Sequence, residues 1–351
     1  MPKILHIIDD QKFIPYAKAT FEIENFENTY LEYSKIDIGN LKIYDLIIIH
    51  FLRSKYSPIL TNNLFPIDKI VWIVWGADAF QLGTFFNKHL MFQTWKSRIK
   101  NSFKRSIRFG FSIFLRSLFP HILDFQKIFK DQISCISNIK KVWVLVPGDE
   151  KGIEKYNSKG FSVNHFNYLD PIFLEDNKVL NSGDNILIGN SAEYTNNYQD
   201  VILNLKPKEI RDHKLIFPLN YGDEINANDV ETKAKMKFKE KAICLRQFMD
   251  INEYIALINT CEIAIMPHIR QQALGNIVKL LLGGCHVYFN SKSNIYIFLN
   301  CHGFVVSSFF ERESLRKLTY EEKKINIQLT KQTFGKDQIH SNTLKLLNEI
   351  L

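Results

Sequence analysis

Two stretches of this sequence hold residues suited to gripping a diphosphate. The run Pro267-His268-Ile269-Arg270-Gln271-Gln272-Ala273-Leu274-Gly275-Asn276 leads straight into an apolar, helix-forming segment. Arg270 carries the planar, doubly donating head that matches phosphate oxygens. A helix starting beyond Gly275, near Asn276, would add the positive end of its dipole. Gln271 and Gln272 suit sugar hydroxyls or an amide. The second stretch is Ile188-Gly189-Asn190-Ser191, followed by Asn196. Gly189 would let backbone approach a ligand closely, and the polar side chains could bond phosphate oxygens. A plain reading stands beside each: Asn and Ser cap helices routinely, and the Arg270 run would also serve as a surface loop. A lesser candidate is Pro218-Leu219-Asn220-Tyr221-Gly222, where Tyr221 could stack on a nucleobase.

Groups able to take a proton lie nearer the N-terminus. Trp72-Ile73-Val74-Trp75-Gly76-Ala77-Asp78 ends an apolar run with a glycine and a carboxylate. Asp78 is expected to face a cleft between two domains, within reach of an acceptor hydroxyl; its plain alternative is a helix N-cap. His50 closes the run Leu46–Ile49 and is a second candidate base, because imidazole accepts a proton near neutral pH. A buried, satisfied histidine is the plain alternative there. There is no G-x-G-x-x-G after the first strand, no P-loop, no G-x-S-x-G and no Asp-x-Asp. A bound diphosphate would then be neutralised by helix N-termini and cations. No metal and no cofactor are expected.

The elements that must hold these residues follow from the apolar runs. At 351 residues, 46% hydrophobic and 23% charged, the chain suits two α/β domains. Ile4–Ile8, Leu46–His50, Ile70–Val74 and Lys141–Val146 are short and rich in branched residues, as buried parallel strands are. A second set comprises Asn185–Ile188, Lys214–Phe217, Ala242–Leu245, Cys261–Met266 and His286–Phe289. Helices are expected at Tyr194–Leu205, 228–241, Asn252–Thr260 and Asn276–Leu282. This predicts two Rossmann-like, doubly wound α/β domains, over 1–172 and 183–335, and a closing helix within 336–351 that could pack back on the first. The five cysteines are odd in number, widely spaced and lack a C-x-x-C. No disulfide framework or zinc site is expected, and a reducing cytosol is the default. No uncharged run approaches the roughly 18 residues that span a bilayer, so a soluble or peripheral protein is expected.

The formal charge is +8, from 45 basic and 37 acidic residues. Between Asp78 and Asp124 there is no acidic residue, but there are eight basic ones: Lys88, Lys96, Arg98, Lys100, Lys104, Arg105, Arg108 and Arg116. Without those eight, 37 basic residues face 37 acidic ones, so the excess resides in one segment. Such a concentration points to a polyanionic surface. The segment, about 85–130, reads as an insertion in the first domain. Trp95, Ile99, Phe103, Ile107, Phe111, Phe114 and Leu118 recur at steps of three or four, an apolar stripe on a helix. Lys96, Lys100, Lys104 and Arg108 run beside it, with Arg98 and Arg105 flanking. Trp95, Lys96, Lys100, Phe103, Lys104, Arg105 and Arg108 are therefore candidates for contact with an anionic membrane surface. The alternative is a helix that buries its stripe on the first domain. Nucleic acid, which would also suit cations and aromatics, is set aside.

Taken in order, these pieces resemble a family. His50 after an apolar strand, Trp75-Gly76-Ala77-Asp78, and Ile186-Leu187-Ile188-Gly189-Asn190-Ser191 with Asn196 come first. Pro218 with Tyr221, Tyr254-Ile255-Ala256-Leu257 leading to Cys261, then Arg270-Gln271-Gln272, Gly275, Gly284 and Asn290 follow. The set is similar to the lipid-II transferases of enterobacterial common antigen synthesis. Those enzymes, also called 4-α-L-fucosyltransferases, carry 4-acetamido-4,6-dideoxygalactose from its TDP conjugate. The resemblance implies a GT-B fold, with a TDP- or UDP-sugar donor in the second domain and a lipid-linked saccharide acceptor against the first. It implies donor contacts at Gly189, Asn190, Ser191, Tyr221, Arg270, Gln271 and Gln272, with Asp78 and His50 near the reacting centre. It also implies a site of action on the inner face of the bacterial plasma membrane. The sequence departs from the family pattern in the longer basic stretch at about 85–130 and in His268-Ile269 and Ala273. Two other readings compete: a sugar-nucleotide epimerase or hydrolase on the same fold, and a membrane-docking module without a reaction.

Overall fold

A computed structural model describes residues 1–61, 65–80, 88–109, 125–171, 180–210 and 213–351, with side chains set aside at 80, 103–109 and 125–130. The chain forms two compact units. One comprises Met1–Phe85, His121–Asp176 and Gln332–Leu351, and the other Phe86–Pro120 and Asn177–Lys331.

The first unit is built on six parallel strands: β1 (Lys3–Ile7), β2 (Glu27–Leu31), β3 (Leu46–His50), β4 (Ile70–Val74), β5 (Lys141–Val144) and β6 (Ser162–His165). Their order across the sheet is β2-β1-β3-β4-β5-β6. Every residue of β3 and β4 is buried, which is why Leu46–Ile49 and IVWIV are apolar at successive rather than alternate positions. Trp72, Tyr56 and Ile136 pack with these strands in one core. The closing helix Lys336–Asn348 belongs to this unit. His340 bonds the Ala19 carbonyl at 2.8 Å, and the Asn342 amide donates to the His165 carbonyl at 3.1 Å.

The second unit repeats the plan with β7 (Asn185–Ile188), β8 (Lys214–Pro218), β9 (Ala242–Leu245), β10 (Cys261–Met266), β11 (His286–Phe289) and β12 (Ser307–Ser308). All neighbours are parallel, in the order β12-β11-β10-β7-β8-β9. The doubly wound α/β architecture expected from the apolar runs is the one observed. Three strands go beyond that expectation, and all lie at sheet edges: β2 (ENTYL), β6 (SVNH) and β12. An edge strand is half solvated and can be polar, so it leaves no apolar run to read. The helix expected over Tyr194–Leu205 is broken. A short turn at Tyr194–Asn196 meets Asn197 in left-handed backbone (φ 49°), and the helix proper is Tyr198–Asn204.

The larger difference concerns the basic segment. Its helix, Phe92–Phe109, packs on the second unit rather than the first. Sequence order alone places it after β4, but hydrogen bonds made more than ninety residues away decide its position. Asp200 accepts from the backbone amides of Gln93 and Thr94 at 3.0 and 2.9 Å and from the Thr94 hydroxyl at 2.7 Å. A carboxylate from another helix thus caps this N-terminus, where the dipole favours it. The Ser97 hydroxyl donates to Asp229 at 2.5 Å and the Asn101 amide to the Tyr194 hydroxyl at 3.2 Å. Thr94, Ser97 and Asn101 are buried, and their spacing puts them on one face. The helix therefore docks by a polar seam. Phe92 is 64% and Trp95 40% exposed, their rings stacked at 6.3 Å, with Lys96 and Lys100 exposed beside them. A stripe buried on the first domain is overturned at Trp95. The side chains of Phe103, Lys104, Arg105 and Arg108 lie outside the described residues.

Candidate functional site

Strand order locates the first site. In the second unit, β7, β8 and β9 proceed one way across the sheet and β10, β11 and β12 the other, so the order reverses between β7 and β10. Ligands of doubly wound sheets sit at the carboxyl ends of strands at such a reversal. The loops leaving these two strands are Gly189–Asn197 and Pro267–Ala273, the two stretches singled out by residue type.

The loops are tied into one frame. Gly189 donates its amide to the Ile265 carbonyl at 2.8 Å and has φ +65°. A Cβ there would lie 2.5 Å from the Tyr198 hydroxyl and 2.8 Å from Asn196 Oδ1, so only glycine fits. Asn196 is fully buried: its Oδ1 accepts from the Asn190 amide at 3.2 Å, and its Nδ2 donates to the Ser191 carbonyl at 2.8 Å and hydroxyl at 3.0 Å. Gln272 spans the two loops, donating to Asn190 Oδ1 at 2.8 Å and accepting from the Thr195 hydroxyl at 2.7 Å. Asn190 Nδ2 donates to the Tyr221 hydroxyl at 3.0 Å, whose ring is half exposed. Pro218 closes β8 and receives the Tyr198 hydroxyl on its carbonyl at 3.1 Å. Asn196 and Gln272 thus bond within the frame, and the Ser191 hydroxyl accepts from Asn196 and from the Glu193 amide.

What the frame presents is Arg270 and Gln271. Arg270 is 7% exposed, and its Nη1 donates to the Gln271 carbonyl at 3.0 Å. Burial lowers His268 to about 3 and His89 to about 4, and the Arg270 charge adds to both effects. Two imidazoles near the guanidinium are thereby kept neutral. Burial raises the Glu193 carboxyl while Arg270 draws it down. Gln271 is buried, yet its Oε1 finds no partner among the described residues, a cost of about 1–3 kcal/mol that a donating ligand would remove. Ala273 then takes a left-handed conformation (φ 59°), rare for a residue with a Cβ, and starts the helix Leu274–Leu282. Gly275 and Asn276 fall in its first turn, whose amides lack intrahelical acceptors. Asn276 Nδ2 donates to the Tyr254 hydroxyl at 3.1 Å.

The first unit has its own reversal, between β1 and β3. His50 ends β3 there and is buried. Its Nε2 meets His6 Nδ1 at 3.0 Å, and its Nδ1 bonds the Tyr168 hydroxyl. Burial and the neighbouring His6 lower His50 well below the usual imidazole range. Asp78 is 4% exposed. One oxygen accepts from the Leu52 amide at 3.0 Å and Trp72 Nε1 at 2.8 Å, the other from the Trp75 amide at 3.0 Å. Burial lifts its carboxyl to about 6 against those three donors. With both oxygens engaged, Asp78 clamps the strand ends together; the expected proton acceptor is a positioning residue. Thr195 and Tyr198 in the second unit, and His6 and Tyr168 in the first, go beyond the residues singled out by sequence; Trp75 stood there only as part of the Trp75-Gly76-Ala77-Asp78 run. Of the four, His6 left a signal, as the one polar side chain inside the run Ile4–Ile8.

Residues 169–337 match the model of the 4-alpha-L-fucosyltransferase family, glycosyl transferase group 56. Among solved structures, the sucrose-phosphate synthase (tll1590) from Thermosynechococcus elongatus aligns over 99% of this chain and 98% of its own, with TM-score 0.56 and 9% identity. The OtsA apo structure aligns over 100% and 99%, with TM-score 0.55 and 8% identity. The E. coli trehalose-6-phosphate structure bound with UDP-2-fluoro glucose aligns over 99% and 98%, with TM-score 0.52 and 9% identity. Identities this low speak to the fold alone. The fold is that of the GT-B glycosyltransferases, and the stretch that matches the family model falls mostly within the second unit.

Proposed function

We propose that this glycosyltransferase moves a deoxyamino sugar from a TDP or UDP donor to an undecaprenyl-diphosphate-linked saccharide, without a metal. The observation that carries the donor half is the pairing of Arg270 and the Gln271 side-chain oxygen, without a partner among the described residues, with the first turn of Leu274–Leu282, at the β7/β10 reversal. Arg270 and the helix dipole would balance the departing diphosphate, Gln271 would accept from a sugar hydroxyl or amide, and Tyr221 would stack on the base. The family match supports a 4,6-dideoxy-4-acetamido sugar as donor. A thermal-shift panel of TDP-, UDP- and GDP-sugars tests it. One base class should raise the midpoint in proportion to RT ln(1 + [L]/Kd), unchanged by a chelator. No shift with any of them sinks the donor reading.

The lipid half rests on the helix Phe92–Phe109. A helix seated by Thr94, Ser97 and Asn101 turns Phe92, Trp95, Lys96 and Lys100 to solvent. Aromatics with cations on a free face suit an anionic bilayer surface, each cation contributing about 1 kcal/mol. No helix among the described residues is long and apolar enough to cross a membrane, and interfacial contact needs none. Lys96→Glu with Lys100→Glu should cut sedimentation with anionic vesicles about tenfold or more. Unchanged sedimentation refutes the membrane contact.

A further inference from the structure

Beneath the carboxyl edge of the first sheet, five residues form one hydrogen-bonded chain whose direction is determined. Asn28 Nδ2 donates to the Phe21 carbonyl at 2.7 Å, which commits Asn28 Oδ1 to accepting. His6 Nε2, 3.0 Å away, therefore carries a hydrogen. His6 Nδ1 must then accept from His50 Nε2–H at 3.0 Å, and His50 Nδ1 in turn accepts the Tyr168 hydroxyl. Trp75 Nε1–H donates to the Tyr168 oxygen at 3.0 Å. This direction belongs to the pair with both imidazoles neutral, the state that burial favours for each; a proton on either would turn the Tyr168 oxygen into the acceptor of His50 Nδ1–H. In the neutral pair the Tyr168 hydrogen points inward. One lone pair is taken by Trp75, and the other can only receive a donor.

Around that oxygen lies an aromatic surface. The Trp75 ring meets Tyr168 at 5.6 Å, Phe13 at 3.9 Å and Phe51 at 6.1 Å, each nearly edge-on, and all four are part-exposed. Phe51, directly after His50, holds a left-handed backbone (φ 70°), a strain of about 1–3 kcal/mol. These residues leave β1, β3, β4 and the end of β6, at the reversal where doubly wound sheets take ligands. Apolar ring faces with one oriented polar atom are what a pyranose needs.

We propose that this edge is a pyranose subsite: the sugar's apolar face lies on Trp75, Phe13 and Phe51, and one ring hydroxyl donates to the Tyr168 oxygen. The subsite rests on the reading of the first unit as the acceptor side, and it supplies that side with its hydroxyl recognition. His6 and His50 act through Tyr168 as positioning residues, fixing which way its hydrogen points.

Saturation-transfer NMR on the full chain, with methyl α-glucopyranoside and its 2-acetamido-2-deoxy analogue as probes, tests the subsite. Wild type should pass magnetisation to the ring protons of at least one probe. Trp75→Ala should abolish the signal. Tyr168→Phe, which keeps the ring, should weaken binding about fivefold, the loss of one neutral hydrogen bond. The TDP- and UDP-sugar thermal shift, read on the same samples, should survive both substitutions and reports that they fold. No probe signal in wild type, or equal signals in all three proteins, overturns the subsite. A nucleotide shift without a pyranose signal overturns it and leaves the donor reading standing. A pyranose signal without a nucleotide shift does the reverse.

Discussion

Arg270→Ala should lower kcat by about 10²–10³-fold, the cost of removing one preorganised group that stabilises charge developing in a transition state. The donor KM should change less, because the guanidinium is asked to hold the diphosphate most tightly as it departs. Arg270→Lys keeps a charge but loses the two-pronged geometry, so it should recover only part of the rate. The frame around position 270 does not depend on the guanidinium: Gln272 still spans Asn190 and Thr195, and Asn196 still ties Ser191. Steady-state kinetics beside a melting curve separates the effects. Turnover within a few-fold of wild type in a folded Arg270→Ala protein ends the diphosphate assignment. A second readout follows from Arg270's neighbours: with its charge gone, the His268 and His89 imidazoles lose a repulsion that lowers them, and the Glu193 carboxyl loses an attraction. All three should titrate at higher pH in the variant, by NMR.

Residue type and spacing sufficed for the central strands and for Arg270. Leu46–Ile49 and IVWIV are apolar at every position because both faces are covered, and Arg270 stands just before a helix at a strand end. Roles within a loop were another matter. Asn190, Asn196, Gln271 and Gln272 are all short amides, yet Gln271 keeps an oxygen without a partner among the described residues while Asn196 and Gln272 bond within the frame. Nothing in a side chain's identity separates the two roles, and for Gln272 partners 77 and 82 positions away decide it. Asp78 allowed two readings, base and cap, and three N–H donors favour a structural clamp. The basic helix is the sharpest case. Its period of three to four is plain in the sequence, but periodicity alone left the stripe open to a membrane surface or to burial on the first domain. Asp200 and Asp229 seat the helix by its polar seam instead, with Trp95 exposed. The helix therefore belongs to the same unit as the Gly189 and Arg270 loops.

Acidification from pH 7 to pH 5 should destabilise both units. His6 and His50 in the first, and His268 and His286 in the second, are buried. Burial lowers His6 and His286 to about 4, His268 to about 3 and His50 well below its ordinary value. In the unfolded chain each returns to about 6.5. The sign follows from proton binding. Between pH 6.5 and 4 the unfolded chain holds protons that the folded chain refuses, so stability is complete above about 6.5 and falls as pH drops toward 4. A fully realised shift of this size corresponds to roughly 3 kcal/mol per histidine, against total stabilities of about 5–15 kcal/mol. Asp78 works the other way. With its carboxyl raised to about 6, the folded state binds that proton more readily as pH falls, which restores part of the loss. One carboxyl against two imidazoles in its own unit does not cancel them. Denaturant midpoints taken by tryptophan fluorescence should therefore decline steadily from pH 7 to 5. Trp72, Trp75 and Trp143 report the first unit, and the nucleotide-sugar shift reports the second. His6→Phe would remove one titrating group but also break the chain to His50, so its midpoint should start lower at pH 7 and decline less steeply below it. Midpoints flat between pH 7 and 5 would show that these imidazoles are not held neutral, and the hydrogen-bond direction assigned to Tyr168 would fall with them.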